Sequence, residues 1–208
     1  MEKQREKTKN YIRIMSIGVG VDLICYLIGH FFHIPAWMDA NGTAIAAMLL
    51  EPGAGILVGF VINFYKAAFI YTSKELIAYL LSASIAVIIG VGIRKKGKIS
   101  IKRIIPLSFL CMLVNWNLAF LIDLWQGGVI SHWENQFYHM AIGQGHSKYM
   151  AMYLGIFCLK FLDCIIRIIV LYAAYYIIPK KWQNETYISE VSWKNPYFKR
   201  KQEDFIES

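Results

Sequence analysis

The chain has 208 residues, of which 57% are hydrophobic and 17% are charged, with a formal net charge of +8 and a mean hydropathy of +0.41. A water-soluble domain of this length could not bury so much apolar surface, so the composition indicates that most of the chain lies in lipid. All four cysteines lie within apolar segments, where thiols behave as small hydrophobes, so neither a disulfide framework nor a zinc site is indicated.

Six apolar segments predict an all-α, polytopic membrane protein with six transmembrane helices. They cover about residues 12–32, 38–50, 54–70, 76–93, 104–125 and 149–178. The second segment is only about 20 Å long as a helix, which is short for a hydrocarbon core of about 30 Å. Glu51-Pro52-Gly53 follows it, and because proline cannot continue a helix, we expect a tight hairpin between the second and third helices.

The charged first ten residues run directly into the first apolar segment without a small-residue cleavage site, which indicates a retained span rather than a signal peptide. We therefore predict a basic N-terminus over residues 1–10, a membrane domain over 11–180 and a polar tail over 181–208. Most of the 22 Lys and Arg residues lie before the first span, between the fourth and fifth, or after the sixth. By the positive-inside rule this side is cytoplasmic and holds both termini. Topology accounts for the net charge, so no nucleic-acid partner is predicted.

All five histidines fall on the predicted outer side, namely His30, His33, His132, His139 and His146. Neutral imidazoles suit zinc, nickel or cobalt, so one interpretation is a divalent-metal site. The other is a set of interfacial histidines in aromatic-rich loops. Because no Cys, Asp or Glu lies at ligand spacing, we predict no metal site.

Polar residues within the predicted spans are candidates for function, because burial in lipid without a partner is costly. Asp22 and Arg167 lie at similar depth and are expected to form a structural ion pair. Lys160 and Asp163 share a face of the last helix with Arg167. The other polar groups at middle or outer depth are Asn63, Lys66, Asn115, Asn117 and Asp123. Together they suit a small polar ligand in an outward-facing cavity, although each one alone could equally form an interhelical hydrogen bond.

Aromatic and small residues add two further expectations. Trp116 and Trp133 are candidates for stacking on a ligand ring, although tryptophan is also common in interfacial belts. Small residues four apart predict close helix approach in three spans: Gly55 with Gly59, Gly42 with Ala46, and Ser16 with Gly20.

The segment PAWMDANGTAIAAMLLEPGAG, residues 35–55, resembles the span 2–3 hairpin of the substrate-binding S components of energy-coupling factor (ECF) transporters. Glu51 stands where that family commonly has glycine. NWNLAFLIDLWQGG, residues 115–128, is similar to the family's fifth span, and the last apolar helix is similar to its sixth, with Cys164 in place of a common lysine. The resemblance covers about residues 10–182.

The resemblance implies an S subunit that captures a vitamin or another micronutrient on the outer face of a prokaryotic plasma membrane. Such a subunit is not an enzyme and has no cofactor. It docks through small residues of its first span, here Ser16 and Gly20, onto a membrane scaffold subunit driven by two ABC-type ATPases. The absence of a Walker A motif agrees with an external ATPase.

The predicted substrate-binding residues are Asp39, Asn63, Lys66, Asn115, Trp116, Asp123, Trp133, Asn135, Lys160 and Asp163. The lysines and Arg167 suggest a ligand with a carboxylate or phosphate, and the aromatic loops suggest a flat ring. Three alternative functions are a membrane ligand sensor that signals through the tail, a divalent-metal uptake subunit and a polytopic enzyme. No acid–base or metal motif at the cytoplasmic face supports the enzyme.

Overall fold

The computed structural model of the chain describes residues 2–70, 73–95, 98–128 and 135–179. The described part is almost entirely helical. Its α-helices are α1 (Glu2–Phe31), α2 (Asn41–Leu49), α3 (Pro52–Phe69), α4 (Tyr79–Gly92), α5 (Ile104–Trp125), α6 (Asn135–Gly143) and α7 (Lys148–Ile177). The 3₁₀ segment Ser73–Ala78 leads into α4, and the 3₁₀ segment Ile101–Arg103 leads into α5. Two-residue strands β1 (Arg94–Lys95) and β2 (Lys98–Ile99) pair antiparallel, with Arg94 opposite Ile99.

Each predicted apolar segment overlaps a helix, and the fifth has the predicted bounds. Two differences stand out: α1 begins at Glu2, well before the predicted start, and α6 lies in a connection for which no helix was expected. Among the described residues, three helical stretches rather than six are long and apolar enough to cross a membrane, namely Thr8–Phe31, Pro52–Phe69 and Ile101–Trp125. Large apolar side chains are exposed along α1, α3, α4, α5 and α7, as expected of a surface that faces lipid.

Helix α2 is the centre of the bundle. All nine of its residues are buried, and α1, α3, α4 and α7 pack around it. Glycine permits this crowding: a Cβ on Gly42 would lie 1.8 Å from the carbonyl oxygen of Gly18, and a Cβ on Gly55 would lie 2.7 Å from the Cβ of Ala47. The predicted close approach of helices at Gly42, Gly55 and Gly59 is therefore confirmed.

Asp22 of α1 caps the buried N-terminus of α2. Its carboxylate accepts hydrogen bonds from the Gly42 N–H at 2.6 Å, the Thr43 N–H at 2.9 Å and the Thr43 hydroxyl at 2.8 Å. These are the second and third residues of the helix, whose N–H groups have no intrahelical acceptor. The predicted ion pair between Asp22 and Arg167 is wrong, because the carboxylate is used by the helix terminus and makes no salt bridge with Arg167.

A positively charged side chain lies at the C-terminal end of α2. Arg94, in β1, donates from Nη2 to the carbonyl oxygen of Leu49 at 2.7 Å. Arg103 in turn donates to the carbonyl oxygens of Gly92, at 2.8 Å, and Arg94, at 3.1 Å. An anion at the N-terminus and a cation at the C-terminus both match the helix dipole, so α2 is held at both ends by charges from other elements.

The same contacts define one end of the bundle, which we call the basic end. The Tyr11 hydroxyl donates to Glu51 Oε1 at 3.0 Å, so the early part of α1 lies beside the turn between α2 and α3. Arg94 and Arg103 lie at this end through their contacts with the ends of α2 and α4. The basic segments near the start of α1 and between α4 and α5 therefore share one end of the molecule.

Candidate functional site

A small cavity lies between the segment that precedes α2 and helices α3, α4, α5 and α7. Its polar and aromatic lining consists of Trp37, Asp39, Asn63, Lys66, Ser82, Asn115, Lys160, Asp163 and Arg167. Ala40, Ala78, Leu81 and Ile85 complete the wall. The cavity volume is about 20 Å³, which leaves room for roughly one water molecule. Four separate parts of the chain thus bring charged and amide groups together, and α4 adds a hydroxyl.

Two ion pairs occupy the cavity wall. Lys66 Nζ contacts Asp39 Oδ2, and both side chains are almost fully buried. Lys160 Nζ lies 3.4 Å from Asp163 Oδ2, one helical turn along α7, and this pair is buried as well. The predicted spacing of Lys160 and Asp163 on one helix face is therefore confirmed, and Asp39 provides the partner of Lys66. Buried pairs of this kind are weak evidence for stability, because desolvation offsets their attraction.

The indole of Trp37 lies beside both lysines. The Lys66 ammonium is 5.7 Å and the Lys160 ammonium 5.5 Å from the centre of a Trp37 ring. These distances are within the range of cation–π attraction, which is stronger away from water. Lys66 also lies 5.9 Å from the ring centre of Tyr26 on α1. The Trp37 Nε1–H is buried and has no hydrogen-bond acceptor among the described residues.

Arg167 lines the cavity one turn beyond Asp163. It is 4% exposed, and its Nε has no hydrogen-bond partner in the described part of the chain. Neither of the two salt bridges found in that part involves it. Asp163 Oδ1 is likewise buried without a donor. The cavity therefore combines two ion pairs with a buried guanidinium that forms no salt bridge with the described residues.

Two asparagines line the cavity and also bridge helices. Asn63 donates to the carbonyl oxygen of Gly59 at 2.8 Å and to the Ser82 hydroxyl at 2.9 Å, which links α3 to α4. Asn115 Oδ1 accepts a hydrogen bond from the Ser84 hydroxyl, which links α5 to α4. Interhelical hydrogen bonding is therefore confirmed for both side chains, and contact with a ligand stays a prediction.

The remaining predicted binding residues lie elsewhere. Trp116 packs between α5 and α7: its Nε1 donates to the carbonyl oxygen of Tyr153 at 2.9 Å, and its ring lies 4.8 Å from that of Phe157. Asp123 is half-buried near the end of α5 and does not line the cavity. Trp133 lies outside the described residues. Asn135 begins α6, and its side chain is likewise not described.

The predicted docking residues lie at the surface of the part of the chain that the structure describes. Ser16 is exposed, and a Cβ on Gly20 would meet no atom within 4 Å. On the other face of α1, Gly18 lies against α2 and Asp22 is buried. The small residues of α1 therefore divide into an inner set that packs the bundle and an outer set that lies open.

A metal site is not formed by the residues that the structure describes, since no group of three or more His, Cys, Asp or Glu side chains lies at ligating distance there. His132, one of the three histidines spaced by seven, lies outside those residues.

Sequence reasoning missed two contributors to the cavity wall and misassigned a third. Trp37 lies two residues before Asp39, inside the hairpin segment, and its place in that segment was the available signal. Ser82 had no sequence signal of its own. Arg167 shares a helix face with Lys160 and Asp163, which already placed it with the cavity rather than with Asp22. No protein-family model matches the chain, and no curated protein or solved structure shows significant similarity to it.

Proposed function

We propose that this chain is the substrate-capture subunit of a membrane uptake system, similar to the S components of ECF transporters. It would bind a vitamin-like or other micronutrient from outside the cell and deliver it to a scaffold subunit driven by two ABC-type ATPases. The chain itself would catalyse no reaction. The observation that carries the proposal is the cavity, in which five buried charged side chains from three parts of the chain meet inside an apolar helical bundle.

Charged groups are expensive inside a membrane domain, and they mark substrate paths more often than they support folding. Here Asp39, Lys66, Lys160, Asp163 and Arg167 each expose less than a tenth of their surface. A purely structural role would be served equally well by apolar side chains of similar volume. Binding of a polar solute gives these residues a reason to be retained.

The proposed orientation has six helices crossing a prokaryotic plasma membrane, with both termini in the cytoplasm. The clustering of Arg94 and Arg103 with the early part of α1 at the basic end supports it, because positively charged loops remain on the cytoplasmic side. The segment carrying Trp37 and Asp39 precedes α2 at the opposite end of that helix. The cavity would therefore open to the outside, where an uptake system meets its substrate.

Docking onto a scaffold would use the open face of α1. Ser16 and Gly20 leave a shallow strip on that face, and small residues allow another helix to approach closely in lipid. Exposed Ile12, Ile17 and Ile24 continue the same helix surface. This face is free to pack against a partner subunit without disturbing α2.

The test is affinity purification of the tagged full chain from its own cell in mild detergent, followed by protein mass spectrometry. We expect to recover one polytopic scaffold protein and two ABC-type ATPases. The Gly20→Leu variant should lower that recovery at least about tenfold, equivalent to about 1.4 kcal/mol, without lowering the yield of folded chain. Gly143→Leu is the matched control, because a side chain there also meets nothing, and its recovery should be unchanged. Recovery of a kinase or response regulator instead would favour a membrane sensor and overturn the proposal.

A further inference from the structure

The charges of the described residues that line the cavity do not balance. Asp39 is paired with Lys66, and Asp163 is paired with Lys160. Arg167 is the third cation in the lining, and no third carboxylate accompanies it. With every group ionised, this lining carries one surplus positive charge, located on Arg167.

Arg167 itself cannot lose its charge, because arginine stays protonated in proteins. An unpaired charge in a buried setting carries a large desolvation penalty. Arg167 is 96% buried, and its Nε lacks an acceptor among the described residues. A side chain kept for structure alone would be expected to have its polar atoms satisfied by protein groups, as Asp22 does, or to have a protein counter-ion, as Lys66 and Lys160 do.

Another atom of the cavity shows what an occupant could offer. Asp163 Oδ1 is a buried acceptor without a donor among the described residues. An occupant with acceptor oxygens would satisfy Arg167 Nε, and one that also has an N–H or O–H group would satisfy Asp163 Oδ1. A carboxylate supplies the oxygens, in the planar geometry that a guanidinium binds best.

We propose that the cavity binds a monocarboxylate, with its carboxylate on Arg167. The inference rests on the proposed substrate-capture role, since it assigns the chemical class of the captured solute. A single negative charge cancels the surplus on Arg167. A phosphate dianion would leave one negative charge in excess beside Asp39 and Asp163, so the charge balance selects a carboxylate over a phosphate.

Entry of such a solute requires the indole of Trp37 to move. The present cavity has room for roughly one water molecule, which is less space than a carboxylate with even a short side group occupies. The Trp37 Nε1–H forms no hydrogen bond with the described residues, so displacement of the ring breaks none there. A flat ring on the solute would take the position of the indole beside Lys66 and Lys160 and keep their cation–π contacts.

The probe is radiolabelled benzoate, measured by equilibrium dialysis against the purified full chain in detergent micelles. We expect saturable binding that unlabelled benzoate competes away. Benzamide, which has the same shape and no charge, and phenyl phosphate, a dianion, should each compete at least about tenfold less well. Arg167→Gln should weaken benzoate binding by about 10- to 100-fold, the range expected for loss of a charged hydrogen bond. Arg167→Lys should retain part of the affinity.

The control variant is Arg13→Gln, which removes an exposed arginine of α1 and should leave benzoate binding unchanged. Three results would overturn the assignment: no saturable benzoate binding up to millimolar concentration, equal competition by benzamide or phenyl phosphate, or full binding by a folded Arg167→Gln chain. Recovery of the scaffold and ATPases does not depend on any of these results. If benzoate does not bind but the scaffold and ATPases are recovered, only the substrate class is rejected. If benzoate binds but the scaffold and ATPases are not recovered, only the transport partners are rejected.

Discussion

Asp22 and Arg167 are both more than nine-tenths buried in the same helical bundle, yet their surroundings differ. Asp22 accepts three hydrogen bonds from the start of α2, and Arg94 supplies the matching cation at its other end. Arg167 lines a cavity and has neither an ion pair nor a partner for its Nε in the described residues. Full satisfaction marks the first region as structural, and incomplete satisfaction among the described residues leads us to propose the second as a place for a ligand.

The difference follows from what each region must bury. Helix α2 is nine residues long and wholly buried, so water cannot reach its terminal N–H and C=O groups. Each group left without a partner would cost free energy of folding. Folding does not require the charged groups of the cavity, because they belong to side chains that apolar residues could replace. Variants of the two regions should therefore separate stability from binding.

The largest effect is expected at Gly42. In Gly42→Ala the new Cβ would lie 1.8 Å from the carbonyl oxygen of Gly18 and 3.0 Å from the Asp22 nitrogen. Backbone atoms cannot rotate away, so α1 and α2 must separate, at a cost of about 3 kcal/mol or more in unfolding free energy. The measurement is thermal unfolding of the purified chain in detergent. Gly20→Ala on the open face of α1 is the control and should unfold at or slightly above the parent temperature, because alanine favours a helix more than glycine does.

The next effect is the loss of the cap. Asp22→Ala leaves the Gly42 N–H, the Thr43 N–H and the Thr43 hydroxyl without their acceptor. We expect a loss of about 2–3 kcal/mol in unfolding free energy, the value of a hydrogen-bonded charged group. Asp22→Asn keeps one carbonyl oxygen and should lose less, as denaturant titration would show. If Asp22→Ala unfolds like the parent chain but no longer binds benzoate, Asp22 belongs to the site and the distinction between the two regions fails.

The cap also shows where sequence reasoning reached its limit. Three features were predictable from the sequence: the hairpin, the short α2, and the polar cluster of Lys66, Lys160 and Asp163. Proline, segment length and helical spacing each predict a single geometry. Counting residues from the membrane surface gives depth along a helix but not the direction in which a side chain points. Asp22 and Arg167 lie at similar depth and were therefore paired, although they serve different elements.

One signal for the true partner of Asp22 was present. The residue before α2 is Ala40, which has no side-chain acceptor for the first N–H groups of the helix, and these have no acceptor within the helix. A buried helix that starts without its own cap needs one from elsewhere, and Asp22 was the acid at suitable depth on the preceding helix. The unpaired state of Arg167 had no comparable signal, because it depends on the side chains of three other elements.

The smallest effects come from a matched pair of arginines. Arg94→Gln removes the charged donor from the Leu49 carbonyl at the end of α2 and should lower the unfolding free energy by about 1–2 kcal/mol. Arg167→Gln removes a buried charge that has no counter-ion in the described residues, so it should leave the unfolding free energy unchanged or raise it slightly. Thermal unfolding of both variants, without added benzoate, makes the comparison directly. A residue kept for binding at some expense of stability behaves in this way. If Arg167→Gln destabilises the chain as much as Arg94→Gln does, the guanidinium has a structural partner in solution, and the contrast between capped helix and open cavity is wrong.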